Sequence, residues 1–403
     1  MRDRSESLAA VPDRARSPAA VAAAGLVALA VAMGVGRFAF TPILPLMQED
    51  AGLSVAAGGW LASANYAGYL AGALSAIGLR LRAATAIRGG LVIIGLATLG
   101  MGLDGGFAVW VVLRALAGVA SAWVLVSVSA WCLERLAALR APTLGGTVFA
   151  GVGIGIAAAG ALCLTLMHVG ASSAQAWIAL GILSLAFTAV VWPVFGHSAS
   201  SDAPARSGGS RLRWDRESVR LVLCYGAFGF GYIIPATFLP VMAKQVVQDP
   251  AVFGWAWPVF GAAAAVSTLA AAALPKFVAN RRLWILGHLV MALGVALPVF
   301  WPGIAAIMLA ALLVGGTFMA ITMAGMQEAR LVASEHARAL MAAMTAAFAL
   351  GQIAGPLSVS FAVGADGGFS AALLVAAALL AASASALAYR GATALRPQSR
   401  WRL

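Results

Sequence analysis

Two arginines, Arg37 and Arg114, stand inside stretches of sequence that otherwise avoid water. A guanidinium near the centre of a bilayer costs roughly 2.5–3.5 kcal/mol on insertion scales, so an arginine at that depth faces a cavity or a partner. With about 1.5 Å of rise per residue, Arg37 lies roughly 10 Å inside one end of its apolar segment, and Arg114 roughly 12 Å inside the same-side end of its own. Two forked, permanently charged donors at matched depth suit a carboxylate or a phosphate.

Helical spacing gives these cations companions. Thr41 and Gln48 follow Arg37 at i+4 and i+11, and Gly118 and Ser121 follow Arg114 at i+4 and i+7. Asn65 with Tyr69, Tyr225 with Tyr232, and Thr345 with Gln352 form similar stripes in other apolar segments. The expected substrate-binding set is Arg37, Arg114, Thr41, Asn65, Tyr69, Tyr232 and Gln352. A plainer role stays open for each: interhelical hydrogen bonds for the neutral groups, an outward-reaching Arg37, and an Arg114 that donates to carbonyls near Gly118.

The acids supply no counter-charge at that depth. Asp3, Glu6, Asp13, Asp202, Asp215, Glu217 and Glu335 fall in segments on one side of the membrane, and Glu49, Asp50, Asp104, Asp249 and Asp366 on the other. Glu134 and Glu328 sit at helix ends, where they are candidates for proton coupling. The missing partner is then the substrate, read as a small organic anion or amphipathic metabolite. Proton-coupled efflux of a drug or metabolite is the alternative within the class, weakened by the lack of a midplane acid.

Other chemistries lack their residues. The sequence has no Walker loop and no H-E-x-x-H, so neither an ATP-driven pump nor a zinc protease is supported. Cys132, Cys163 and Cys224 show no paired spacing and are read as small buried groups, and His288, the one histidine within a span, as a satisfied buried imidazole. No catalytic constellation supports a polytopic membrane enzyme, and no cofactor, metal or nucleic-acid partner is expected.

The elements that must position these residues are transmembrane helices. Of the 403 residues, 62% are hydrophobic and only 10% charged. A soluble domain is about a quarter charged, so lipid is the main solvent here. Twelve runs are long enough to span, at 19–46, 54–78, 86–103, 106–133, 143–167, 175–195, 219–243, 251–274, 283–301, 303–327, 339–363 and 369–389. With both termini placed in the cytoplasm, 23 of the 26 basic residues fall in inner segments, and only Lys244 falls in an outer loop. That positive-inside bias accounts for the net charge of +12 without nucleic acid.

The chain is also written twice. Shifted by 195 positions, "GVGRFAFTPILPLM" at 34–47 meets "GFGYIIPATFLPVM" at 229–242, which pairs Gly34 with Gly229, Pro45 with Pro240 and Arg37 with Tyr232. The same shift sets Gly59-Trp60 on Gly254-Trp255 and Gly160 on Gly355. Expected units are a cytoplasmic tail (1–18), a six-helix bundle (19–195), a cytoplasmic linker (196–218), a second bundle (219–389) and a tail (390–403). Because its first span has a counterpart, that span is expected to be retained rather than cleaved. Six spans return the chain to its starting side, so the bundles are parallel repeats about an axis along the membrane normal. Small residues at four-residue spacing, including Gly155 and Gly355, suit close helix packing, with Gly118, Pro45 and Pro240 as further packing or conformational positions.

This layout resembles the major facilitator superfamily over essentially the whole chain. "LRALAGVASA" is similar to that superfamily's Arg-x-x-x-Gly motif, with Arg114 and Gly118 in the matching places. "GRFAFTPILPLM" followed by "GGWLASANYAGYLAGAL" further resembles the bacterial branch called YbfB/YjiJ-like transporters. Two departures stand out: Ala76 replaces the acid of the first inner loop's pattern, and "GVGIGIAAAGAL" has the paired glycines of antiporters without their proline. The resemblance implies two rocking bundles, alternating access, a small-molecule substrate with or without a coupling ion, and a monomer in a bacterial cytoplasmic membrane.

Overall fold

A computed structural model describes residues 17–78, 82–103, 105–195, 214–273, 279–333, 336–362 and 368–389. The expectations for 1–16, 196–213 and 390–403 lie outside these residues. The first half comprises α1 (Pro18–Leu29), a π-helical turn (Ala30–Val35), α2 (Phe40–Asp50), α3 (Val55–Gly78), α4 (Ala83–Gly100), α5 (Gly106–Ala138), α6 (Gly145–His168) and α7 (Ser173–Val191). The second comprises α8 (Arg216–Val246), α9 (Pro250–Phe253), α10 (Ala256–Ala273), α11 (Asn280–Phe300), α12 (Ile304–Ala333), α13 (Ala337–Ala362) and α14 (Ser370–Ala388). The terminal face is the side where α1 begins and α14 ends; α2 ends at the far face.

Eleven segments are long and apolar enough to cross a membrane, counting 18–50 as one. The 24-residue α3 is the twelfth by length, its apolar run diluted by Ser63, Asn65, Tyr66 and Tyr69. The 195-residue shift carries α3 onto 250–273, α6 onto 340–363 and α7 onto 368–386, where α9 with α10, α13 and α14 run. Large apolar side chains such as Val112, Leu223 and Phe361 are exposed on the outside, as a lipid-facing surface requires.

Local chemistry sets several helix starts. Ser17 accepts from Ala20 N ahead of Pro18 at the first helical position. Ser172 and Gln175 form a capping box on α7. Asp215 accepts from Ser218 N at 2.7 Å, so α8 begins at Arg216 and 216–218, expected as linker, are helical. Lys244, expected in a loop, falls in the last turn of α8.

The halves meet chiefly along α2 with α8, α3 with α13, and α6 with α10, with a smaller contact of α6 on α9. Small residues allow the approach, with Gly153 against the backbone of Ala265 and Gly160 against Pro258. Within the bundles Gly155 lies against Ala30 and Gly355 against Ile233. Several hydrogen bonds and an ion pair that join the halves lie between mid-height and the far face. Ser360 Oγ donates to Ala56 O at 2.9 Å and Ser63 Oγ to Ile353 O at 3.0 Å. Thr41 Oγ1 donates to Ala236 O at 2.8 Å, and Tyr66 Oη lies 3.2 Å from Thr237 Oγ1. Nearest the far face, Lys244 Nζ pairs with Glu49 at 2.5 Å and donates to Pro45 O at 3.1 Å.

Candidate functional site

The site grows out of a break in the first span, which the sequence presented as one apolar run. Pro42 has no N–H to give Phe38 O four residues back. Thr41 N turns to Phe38 O instead, at 3.1 Å. Before it, Gly36 N reaches Val31 O at 2.9 Å and Phe38 N reaches Met33 O at 3.1 Å, both five residues back. The carbonyls of Gly36 and Arg37 are thereby released from the helical ladder, and inside a membrane such groups need other partners.

Arg114 and Asn65 provide them. Arg114 Nη2 donates to Arg37 O at 3.0 Å, with Nη1 3.5 Å from Gly36 O. Asn65 Nδ2 donates to Gly36 O at 3.1 Å and to Arg114 O at 2.8 Å. Gly118 lets α5 come this close, since a Cβ there would strike the backbone of Asn65 and Tyr69. Ser121 Oγ extends the seam to Ala32 O at 2.8 Å. Arg114 does donate to carbonyls, but to those of the broken first span rather than to any near Gly118, and its Cζ lies 4.9 Å from the ring centroid of Phe40.

Arg37 points the other way, into the boundary between the halves. Its 3% exposure rules out an outward reach to the membrane surface. Nη2 donates to Gln352 Oε1 at 2.9 Å, and Gln352 Nε2 donates in turn to Tyr232 Oη. The Arg37 Cζ lies 4.0 Å from the ring centroid of Tyr69, 5.3 Å from that of Tyr66 and 5.2 Å from that of Phe38. Cation–π contacts are worth about 0.5–2 kcal/mol each and a charge-assisted hydrogen bond about 1.5–3, which together offset the insertion cost. Donors remain unspent: Nε of Arg37, like Nε of Arg114, is buried without an acceptor. Among the described residues neither arginine belongs to an ion pair.

The other expected residues separate. Tyr69, Tyr232 and Gln352 gather at Arg37; Thr41 is committed to Ala236 O; Asn65 keeps a buried Oδ1 without a partner. Thr345 bonds within its own helix, to Met341 O at 2.8 Å, and Tyr225 joins a ring cluster with Phe228, Trp284 and Phe348. His288 accepts from Trp284 Nε1 at 2.9 Å but its Nδ1 is buried without a partner, so the imidazole expected to be satisfied is only half so; the three cysteines are free and buried. Glu328 lies 3.3 Å from Arg281 near the terminal end of α12, while Glu134 is exposed near that of α5.

Several contributors were not singled out by sequence. Tyr66 sits three residues before Tyr69 and so shares its helix face, a signal that was present. Glu49 and Lys244 are related by the 195-residue shift and carry opposite charge, which was also legible. Phe38 and Phe40 sat in an apolar run that gave no such sign.

The chain matches, over residues 29–388, the family model described as "Uncharacterised MFS-type transporter YbfB". No curated protein matches at a significant level. Among solved structures it is similar to the nucleoside transporter NupG in a mutant form, with a TM-score of 0.74 and 15% identity over 91% of this chain and 99% of that one. At that identity the likeness speaks to the fold alone. Since the family match runs from the first span through the last, the chain belongs to the YbfB-type family of major facilitator transporters and is a multi-pass membrane protein.

Proposed function

We propose that this protein is a secondary carrier working by alternating access, which binds a small organic anion or amphipathic metabolite at Arg37. One observation carries the reading: a cation with an unspent donor is buried at the boundary between the two halves, with no ion-pair partner among the described residues. Arg114 and Asn65 hold the broken backbone that aims Arg37, and Tyr69, Tyr232 and Gln352 complete the wall around it. Glu328 is engaged with Arg281 at the terminal end and Glu134 is exposed, which weighs against either as a proton carrier to this site. Positive charge in the terminal-face segments supports a cytoplasmic terminal face in a bacterial membrane, which puts the contacts between Glu49 and Lys244 on the outer side.

Uptake of labelled carboxylates and phosphate esters into proteoliposomes tests this. Saturable uptake with counterflow is expected, and Arg37→Gln should abolish it. Wild-type uptake by that variant for every transported anion would refute the assignment.

A further inference from the structure

The two repeats differ in kind around the site. The first half supplies both guanidinium groups, whose repeat mates in the second half are Tyr232 and Leu309. The second half supplies rings: Trp257, Phe260 and Phe318, whose mates in the first are Ala62, Asn65 and Trp123. Both guanidinium groups thus come from one side of the boundary, beside rings of their own half, and the other side adds rings without a guanidinium.

Those rings connect back to Arg37 from both directions. Phe38, 5.2 Å from the Arg37 Cζ, lies 6.2 Å from Trp257 between ring centroids. Trp257 stacks on Phe260 at 4.8 Å, and Phe260 on Phe318 at 5.9 Å. Phe318 stacks on Tyr232 at 5.7 Å with planes only 4° apart. Tyr232 then returns to Arg37 through Gln352. The circuit closes: one cation, one amide and a run of rings with planes mostly near parallel. Plain core packing favours tilted and edge-on pairs as readily as parallel ones, as the Tyr225 cluster in the same bundle shows with planes 65° and 86° apart.

From this arrangement we propose that the carried anion is an aromatic carboxylate, its carboxylate on Arg37 and its ring laid against the aromatic surface of the second half. This rests on the anion reading above and narrows it. An aromatic ring laid edge-on or offset against Tyr232 or Phe318 gains ring contacts that a saturated ring of the same size does not. Gln352 fixes the head-group end by holding Arg37 and Tyr232 in register.

The test is equilibrium binding to purified full-length protein, with benzoate, cyclohexanecarboxylate and benzamide as probes. Benzoate should bind about tenfold more tightly than cyclohexanecarboxylate, which matches it in size but lacks the π face, and benzamide, which lacks the charge, should bind far more weakly. Phe318→Leu should bring the benzoate-to-cyclohexanecarboxylate ratio toward one, with Trp257→Leu as a second variant if the first does not fold. A wild-type ratio near one overturns the aromatic preference while leaving an anion carrier standing. Failure of both carboxylates to bind overturns the anion reading itself.

Discussion

Thr41 donates its hydroxyl hydrogen bond to the carbonyl of Ala236, the residue that holds Thr41's own place in the second repeat. Glu49 and Lys244 stand in the same relation, eight positions further along, and form the ion pair nearest the far face. A residue that touches its repeat mate lies on the pseudo-two-fold axis. The centre of the far-side seal is therefore the axis itself, with α3–α13 and α6–α10 flanking it.

Arg37 and Arg114 should separate under mutation. Arg114→Lys leaves a point donor where a fork served two carbonyls, and an unsatisfied buried acceptor costs about 1–3 kcal/mol, so thermal unfolding in detergent should move down by several degrees. Arg37→Gln should lower stability less yet remove anion binding. Equal stability losses in the two variants would contradict this division.

Gly59 seats α3 on α13 at the far face, where a side chain would meet Ser360 Oγ and the Pro356 carbonyl. Overpacking there costs typically 1–3 kcal/mol against the sealed form, so Gly59→Val should shift the balance toward far-side opening by roughly 5- to 150-fold. Labelling of a cysteine placed at Ala56 should speed up accordingly. Glu49→Ala should do less than fivefold, because Glu49 is 59% exposed and such pairs are worth about 0–1 kcal/mol.

Arg281 holds Glu217 at 2.5 Å and Glu328 at 3.3 Å, and Glu217 also meets Arg220. Removing the cation in Arg281→Ala strands a Glu328 that is 8% exposed, and should destabilise the protein by about 2 kcal/mol. Glu328→Gln should keep anion uptake per folded molecule. Loss of uptake in Glu328→Gln with normal thermal stability would point to proton coupling instead.

The groups facing Arg37 are Tyr66, Tyr69, Tyr232 and Gln352, and phenols titrate near pH 10 in water. Uptake of a carboxylate with an ordinary acid constant should therefore be flat between about pH 6 and 8. A bell or slope in that window would require a carrier group elsewhere.

Much of the scaffold was legible because its signals are periodic or repeated. Apolar runs of membrane length mark the spans, and one constant offset pairs the helices of the two bundles. Arg37 and Arg114 were conspicuous because a charge in an apolar run is costly and rare. Their unequal duties were not legible. They follow from the wide turn before Gly36 and from Pro42, which together free carbonyls at Gly36 and Arg37, and only the packing of α3 and α5 determines who collects them. Ring stacking across Tyr232, Phe318 and Phe260 was equally hidden, since three aromatic residues on separate helices carry no spacing signature. The start of α8 slipped by a turn because Asp215 looks like one more polar linker residue until it caps the helix.

Pro42 has Thr237 as its mate, and α8 runs unbroken past Pro235 and Pro240, so among the described residues the interrupted first helix and the guanidinium groups that serve it belong to the first repeat. A homodimer built from two copies of the first half would crowd four such cations around a single axis with no acids among them. The doubled chain escapes this through divergence: tyrosine at 232 and leucine at 309 leave the partner bundle neutral, and a fused, unequal pair can host a pocket that a symmetric one would repel apart.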